Sequence, residues 1–527
     1  MKNLTVPGLF LALICTSASV HLHAQATATD KLKVKVRMSA EPAVNDKRMP
    51  ASIFPVGDKA VMILRNKDGG GGIQSYTKVV PTMELYDRVK LLRSREQEPI
   101  MKVPAGHLFL EDLVWLGGKP VMIAARRDTV QGIVQLFWQY ADANLTVAHR
   151  PFELLCAFDA KVWGAGKKVP SGSAFRDEFF TALSPDGTKL MIHSADVVDN
   201  DGDARRLMVV VDKGMQVLWQ QTLDVEDGSR NLDIQLDNAG DAIALVKRTF
   251  KPKEPKKDTT SYSIHLQRID DNGVQDLDFG VGKDRSVKSA RLRTLSDGRM
   301  IFAAILGGTD AKGNAIHTNY VGHLPAGAEK LTDISTRTFK HDAEDAVYTK
   351  GNMRVADILL RKDGGFFVVN EYYLETTVAD AKLGLSGLRW VHGPLVVSSI
   401  DAKGAEQWAS TFRRVLYTSD PIVGDALGLV HEEQLFLFML DSEELAEKRK
   451  KDEKKFTLQD SKSLYSVYTQ FDKEGMAKAK PVLRSSGAND YILGTRIWQL
   501  GPTEYLVLGS SKLGGSRLQP VKIELGE

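Results

Sequence analysis

The chain has 527 residues, 43% hydrophobic and 26% charged, a globular composition that suits about two to four domains or one long repeat array. Its formal charge of +3 is spread along the sequence, which argues against nucleic-acid binding, because that chemistry wants a clustered basic face. After the N-terminal segment no run of about 18 apolar residues occurs, so the sequence offers no membrane-spanning helix.

The N-terminus, "MKNLTVPGLFLALICTSASVHLHAQA", carries Lys2, an apolar stretch from Val6 to Cys15, and a small-residue site at Ala24-Gln25-Ala26. This pattern predicts a secretory signal peptide over residues 1–26, cleaved after Ala24 or Ala26. A lipoprotein signal would need a small residue before Cys15, where Ile14 stands. The mature chain, 27–527, then keeps Cys156 alone, so no internal disulfide forms and stability must come from an apolar core. Cys156 reads as a small buried hydrophobe; a catalytic thiol would want a His, and none is near it in sequence. "KLKVKVRM", residues 31–38, alternates with Leu32, Val34 and Val36 on one face and predicts a strand.

A hairpin then recurs along the chain. "ASIFPVGDKAVMILRN" turns at Gly57-Asp58 and "EDLVWLGGKPVMIAAR" at Gly117-Gly118. "FFTALSPDGTKLMIHSADVV" turns through Ser184 to Gly187, with Pro185 at the second position, where its fixed φ is already correct. "LDIQLDNAGDAIALVKR", "ARLRTLSDGRMIFAAIL" and "VADILLRKDGGFFVVNEYY" turn at Asn238 to Gly240, Asp297-Gly298 and Asp363-Gly364. "ALGLVHEEQLFLFML" and "TRIWQLGPTEYLVLGS" turn at Glu432 and Gly501-Pro502. Copies at a near-constant interval with a central turn are the sign of a repeat architecture. A second hairpin follows each of the first seven, clearest in "RRLMVVVDKGMQVLWQQTL", "SIHLQRIDDNGVQDLDF", "PLVVSSIDAKGAEQWASTF" and "SVYTQFDKEGMAKAKPVL". Each repeat is thus four strands, A to D, with tight A–B and C–D turns.

Four-stranded units in series with almost no helical periodicity predict an all-β fold, a single β-propeller. The count is eight four-stranded blades, with seven as the alternative. The blades fall at about 50–93, 106–155, 176–224, 230–281, 288–340, 354–414, 422–485 and 489–527. The eighth unit ends after its third strand, "SRLQPVKIELGE". The N-terminal strand 31–38 is the expected fourth, and its pairing would close the ring and remove an open edge. The A–B copies, above all "SPDGTKL", resemble the TolB-type propeller repeat. The C–D copies ending in Trp219 and Trp408 resemble repeats of the quinoprotein-like, eight-bladed class, which includes outer-membrane assembly scaffolds. The resemblance implies a secreted β-propeller repeat protein.

On such a ring the A–B and C–D turns share one face, and the B–C and D–A connections share the other. The second set carries nearly every long insertion, and loops that vary on a rigid scaffold are where binding usually resides. The candidate partner-binding residues are Trp163, Lys167 and Lys168 in the blade 2–3 connection and Lys253 and Lys256 in the blade 4 insert. Trp390 in the blade 6 insert and Lys450 and Lys451 in the blade 7 insert complete them. The blade 7 insert predicts a short helix capped by Asp441, acids first and bases last; it is either a solvated face or a docking arm. "DNDGD" sets Asp199, Asp201 and Asp203 at alternate positions, a candidate calcium site, since a hard cation wants several oxygens from one turn. The competing reading is an exposed acidic turn, because the Gly comes too early for an EF-hand loop and no Glu stands twelfth. "GGGG" (Gly69 to Gly72) lacks the Lys and Ser/Thr of a phosphate loop. No G-x-S-x-G elbow occurs, and "HEEQL" has Leu435 where a zinc protease needs His.

These features suit an exported protein, periplasmic, outer-membrane-associated or extracellular, that binds an envelope or surface protein, or a polymer, as a scaffold or accessory subunit. No cofactor is implied beyond the candidate calcium. The alternative is an enzyme with a central-channel site, a metal-assisted hydrolase or lactonase or a quinoprotein-like oxidoreductase. Expressed in a bacterium with its N-terminus intact, the chain should be recovered beginning at Gln25 or Thr27 by intact-mass spectrometry. An unprocessed chain in the cytoplasm would remove the export reading.

Overall fold

Many turns of the repeat are held by their own aspartates. In a computed structural model of the protein, Asp212 Oδ1 accepts the backbone N–H groups of Gly214 and Gln216 at 2.8 and 2.9 Å. Asp401 does the same for Lys403 and Ala405, Asp472 for Glu474 and Met476, and Asp237 for Gly240 and Asp241. A short acceptor that bonds two to four residues ahead closes the turn before any tertiary contact exists, which is why Asp recurs at these tips. The structure describes residues 32–40, 52–56, 60–67, 80–97, 100, 102–104, 106–128, 133–141, 151–159, 179–198, 204–250, 261–279, 286–309, 315–339, 352–380, 385–418, 424–451, 464–485, 488–489, 491–492, 497–510 and 518–526. The signal segment, the Gly57-Asp58 turn and the Gly69 to Gly72 tip lie outside them.

Eight antiparallel sheets follow one another in sequence, each built on an A-B-C-D order, the arrangement of an eight-bladed β-propeller. In blade 4, for example, Ser229–Leu236, Ala242–Phe250, Ser261–Asp270 and Gly273–Asp278 are the four strands. Blade 8 is assembled from both ends of the chain. Lys33–Met38 pairs antiparallel with Leu518–Gly526, in a register running from Lys33 opposite Gly526 to Met38 opposite Val521. Lys522 ties this seal together, donating to Glu504 at 2.7 Å and pairing with Glu524 at 2.8 Å, while Arg37 reaches Glu524 from the N-terminal strand. The ring then closes on blade 1: Arg88 donates to Leu500 O at 2.6 Å and to Glu504, and Phe54 packs on Trp498 with ring centres 5.3 Å apart.

The apolar core is a chain of seams. Strands B and C are buried on both faces, so each blade fills the gap to its neighbour with Val, Ile, Leu and Phe. Separate clusters occupy the seams between blades 1 and 2, 2 and 3, 3 and 4, and so on around the ring. Two tryptophans lock their blades to the next. Trp219 Nε1 donates to Gly240 O in the following blade at 2.8 Å. Trp408 stacks on Phe471 and covers Gly475, where a Cβ would come within 2.6 Å of the indole and φ is +79°. At the inner strands the ties are polar. Asp112 accepts from Thr181 Oγ1 at 2.5 Å, Asp233 from Leu292 N at 2.8 Å, and Ser289 Oγ from Val355 N at 3.1 Å, each bond crossing to the next blade.

Several local expectations need correction. The blade 6 insert is no loop: strands B and C run on as Phe366–Asp380 and Leu385–Ile400, a projecting hairpin whose alternation was hidden among Thr, Ala and Gly. Helix α1 (Glu443–Lys450) is capped by Ser442, whose hydroxyl accepts from Leu445 N at 3.1 Å; Asp441 is the buried last residue of strand B. In blade 2 the outer strand is Glu153–Asp159, running past the expected blade end at about 155, and buried Cys156 sits in it. Burial in that strand pushes the Cys156 thiol up to about 12, so it is an inert packing group.

Removing residues 27–38 would expose the edge of Leu518–Gly526 and strip apolar cover from blade 8. The melting temperature should fall by at least about 5 °C, with aggregation on heating. A truncated chain that melts like the intact mature one would mean that the ring is sealed in some other way.

Candidate functional site

Two buried positions, Asn370 and Glu371, break the apolar pattern of strand B in blade 6, and the second carries a charge. In "FFVVNEYYL" the sixth residue is Glu371, 1% exposed, on a strand otherwise filled with core residues. A lone buried carboxylate would be very costly, so its partners must be close. Four N–H groups meet it. Oε1 accepts from His392 Nδ1 at 3.0 Å and from Arg414 Nη2 at 2.6 Å; Oε2 accepts from Arg354 Nε and Nη2 at 2.9 and 2.5 Å. Arg354 comes from strand A, His392 from strand C, and Arg414 from the segment after strand D. Arg354 also binds Asp425 Oδ1 at 2.5 Å in the connection to blade 7, and Arg414 donates to the carbonyls of Gly393 and Gly424. The Arg354 guanidinium lies over the Tyr373 ring, 4.0 Å from its centre, and Tyr373 meets His392 edge to face. Gly424 lies flat against the His392 ring, where any side chain would overlap the imidazole.

The electrostatics follow from this packing. Burial alone would raise the Glu371 pKa, but the His392 hydrogen bond and the Arg414 and Arg354 charges outweigh it and hold the carboxyl at about 2. Burial dominates at Asp425 and raises its pKa despite Arg354, and burial lifts the Tyr373 phenol to about 12. Glu371, His392 and Asp425 offer donor atoms within 4.8 Å of one another, a spacing that could hold a metal ion. The donor set does not fit one. Both Glu371 oxygens and Asp425 Oδ1 already accept guanidinium N–H groups, so a cation would sit against Arg354 and Arg414. The cluster is an ion-pair brace joining the strands of blade 6 to blade 7. The only hint of it in the sequence is a charged residue inside an apolar strand; its partners are up to 54 positions away (371 to 425).

A second polar chain lies in blade 4. His265 Nδ1 faces Asp276 Oδ1 at 2.6 Å, and Ser263 Oγ meets His265 Nε2 at 2.8 Å. Asp276 is held ionised by Gln267, His265 and Arg248 against its partial burial, and Arg248 Nη1 also faces His265 Nδ1 at 3.1 Å. Serine, imidazole and carboxylate stand in the order of a nucleophilic relay. The adjoining cleft between blades 3 and 4, about 270 Å³, is walled by Arg248, Gln267 and Asp276 and not by Ser263, which is itself buried. This chain therefore reads as a strut.

Among the sequence-predicted site residues, Asp199, Asp201, Asp203, Trp163, Lys167, Lys168, Lys253 and Lys256 lie outside the described residues. Trp390 lies in strand C of the blade 6 hairpin, half-buried between Glu375 and Thr418 on the neighbouring strands. Lys450 ends helix α1 and pairs with Glu447 at 2.6 Å; Lys451 follows as its exposed C-cap. Helix α1 is docked rather than free. Leu445 is fully buried, and Arg449 binds buried Asp441 and donates to Arg413 O at 2.9 Å.

No known family profile matches the chain, and no curated protein matches it. Solved structures do. The WD40 domain of SCAP from fission yeast is 8% identical, with 93% of this chain and 98% of that one covered and a TM-score of 0.36. The β-propeller domain of the Trilobed protease from Pyrococcus furiosus is 10% identical, covering 81% and 94%, with a TM-score of 0.33. Prolyl oligopeptidase B from Galerina marginata is 9% identical, covering 91% and 55%, with a TM-score of 0.34. The blade count and the closure come from the strand pairing of this chain itself.

Replacing Glu371 by Gln keeps its shape but leaves Arg354 and Arg414 uncompensated, and should cost about 3–5 kcal/mol by urea unfolding at neutral pH. Because the folded carboxyl titrates at about 2 against an ordinary value of 4.5, its contribution is complete above pH 4.5 and is lost as pH falls toward 2. The gap between parent and variant should therefore narrow in acid. An equal gap at pH 7 and pH 3 would contradict the brace.

Proposed function

We propose that the protein is an exported propeller that holds an envelope or surface protein, or a polymer, on the face formed by its B–C and D–A segments. The observation that carries this reading is the inequality of the two faces. On the turn face the described connections are short, and several are closed by their own aspartates. On the other face stand the projecting blade 6 hairpin and helix α1, both rigidly based.

Rigid bases matter for binding, because an ordered projection loses less entropy when a partner settles on it. The blade 6 hairpin is anchored by the Glu371 brace, and the helix by Leu445 and Arg449. Their exposed residues can then present charge and backbone at a constant geometry. Glu443, Glu444, Glu447, Lys450 and Lys451 are the exposed charges of the helix and its cap. A scaffold role also agrees with the absence of the elbow and zinc-protease signatures from the sequence.

Lys450→Glu together with Lys451→Glu should fold like the parent, since both side chains are exposed. The pair should weaken recovery of a cross-linked partner from envelope extracts by about tenfold, as rim charges at a docking face do. If the parent and the variant recover the same partners in equal amounts, the helix is not part of the docking face. If neither recovers any, the scaffold reading falls.

A further inference from the structure

The cleft between blades 3 and 4 opens beside the short connection from Val217–Val225, strand D of blade 3, to Ser229–Leu236, strand A of blade 4. That connection is held tightly: Ser229 N donates to Glu226 O at 2.9 Å, and Thr249 N to Gly228 O at 3.1 Å. Ser229 and Asn231 stand two apart on strand A, opposite Arg248 and Val246, so both side chains share the face turned to the cleft. The Ser229 hydroxyl is enclosed and has no hydrogen-bond partner among the described residues. The Asn231 amide has none there either. Enclosed polar groups are nearly always paired, so two unpaired ones side by side on a cavity wall point to a ligand.

The charges of the same wall are matched within the protein. Arg206 binds Asp196; Arg248 meets Glu226 at 2.8 Å and Asp276 at 2.5 Å; Asp224 meets Arg205 at 3.1 Å. Arg230, between Ser229 and Asn231, is opposite Lys247 and so lies on the other face of the strand. Gln267 Nε2 joins the network through Asp276 at 3.1 Å. A ligand therefore meets planar polar groups held in fixed positions, with little net charge to attract an ion. Val225, Val246 and exposed Val274 lie among them. Such a wall suits a molecule whose hydroxyls both donate and accept around a compact C–H framework. An aromatic face lies close by. Phe180, in Phe179–Leu183, is 43% exposed, and its ring lies against His193 with centres 5.5 Å apart. It shares its strand face with Ala182, which packs in the seam to blade 4. His193 is opposite Met208, two residues and roughly 7 Å along strand C from Arg206.

We infer that this cleft binds one unit of a neutral glycan, its hydroxyls meeting Ser229, Asn231, Gln267 and the Arg248–Asp276 pair, with a neighbouring unit over Phe180. The volume of about 270 Å³ is at the small end of ligand sites, which begin at roughly 300 Å³, and so suits a single ring inside the cleft. Hydroxyls bonded to ionised groups form stronger hydrogen bonds than those to neutral ones, and the flat Phe180 ring offers an apolar face to ring C–H groups. The inference narrows the function proposed above to its polymer branch and rests on that reading; the cleft lies on the same face, in a different sector from helix α1.

Maltotriose, cellotriose and triacetylchitotriose, each titrated calorimetrically into the full mature chain, test this. At least one should bind saturably, with the same affinity at about 20 mM and about 500 mM salt, because no net charge is neutralised. Ser229→Ala with Asn231→Ala should weaken binding by at least about tenfold, and Val274→Trp, which fills the cleft from an exposed position, should abolish it. Met476→Ala, on the turn face of blade 7, should leave it unchanged, and thermal melts of every variant check the fold. No binding of any of the three sugars, binding indifferent to the cleft variants, or binding lost at high salt overturns the inference. So does tighter binding of acetyl-tetra-alanine amide than of every sugar, which would make the cleft a peptide site. Envelope capture that depends on Lys450 and Lys451 while no sugar binds keeps the docking face and removes the glycan cleft; sugar binding without such capture does the reverse.

Discussion

Everything in this protein depends on one antiparallel pair, Lys33–Met38 against Leu518–Gly526. A blade of four twisted strands has two apolar faces and cannot bury them alone. Each needs a neighbour on both sides, and only a closed ring provides this for every member. Completing the last blade with the first strand turns closure into main-chain hydrogen bonds. The Lys522, Glu504, Glu524 and Arg37 charges then surround the joint. Arg88 and Phe54 carry the same joint across to blade 1.

Within the ring, two kinds of contact divide the labour by radius. Midway out, Val, Ile, Leu and Phe from strands B and C fill each seam, contributing stability roughly in proportion to buried area. Near the axis, where inner strands converge, side chains such as Asp112, Asp233 and Ser289 reach the next blade and fix its height. Apolar contact is non-directional and would let blades slide; a hydrogen bond from a bulged strand to a neighbouring backbone would not. Trp219 and Trp408 combine both roles, pairing a large apolar surface with a specific site on the next blade.

Blade 6 departs from its neighbours because it carries the projecting hairpin. Extending two strands beyond the sheet removes the neighbours that would steady them, and the Glu371 brace stands at the base of that extension. Its five groups come from strands A, B and C, the segment after strand D, and the connection to blade 7. A buried network of this kind adds little net stability over an apolar core, but it penalises any displacement that would strand a charge. That property suits a support for a binding element.

The features legible in the sequence are those governed by neighbours in the chain. Asp and Gly at the hairpin tips, alternating strands and the eightfold recurrence follow from local φ/ψ limits and short-range acceptors, so the blade count and closing strand could be read directly. What only tertiary structure decided lies between residues distant in sequence. Glu371 meets Arg414, and Arg354 meets Asp425, because strands and connections converge. The blade 6 insert, rich in Thr, Ala and Gly, carried no strong strand signal, yet it continues the ladder because a paired strand already exists beneath it. Ser442 rather than Asp441 caps helix α1 because Asp441 was drawn into the core to meet Arg449. Local propensity chooses the element; burial and charge pairing at long range choose which residue performs each part.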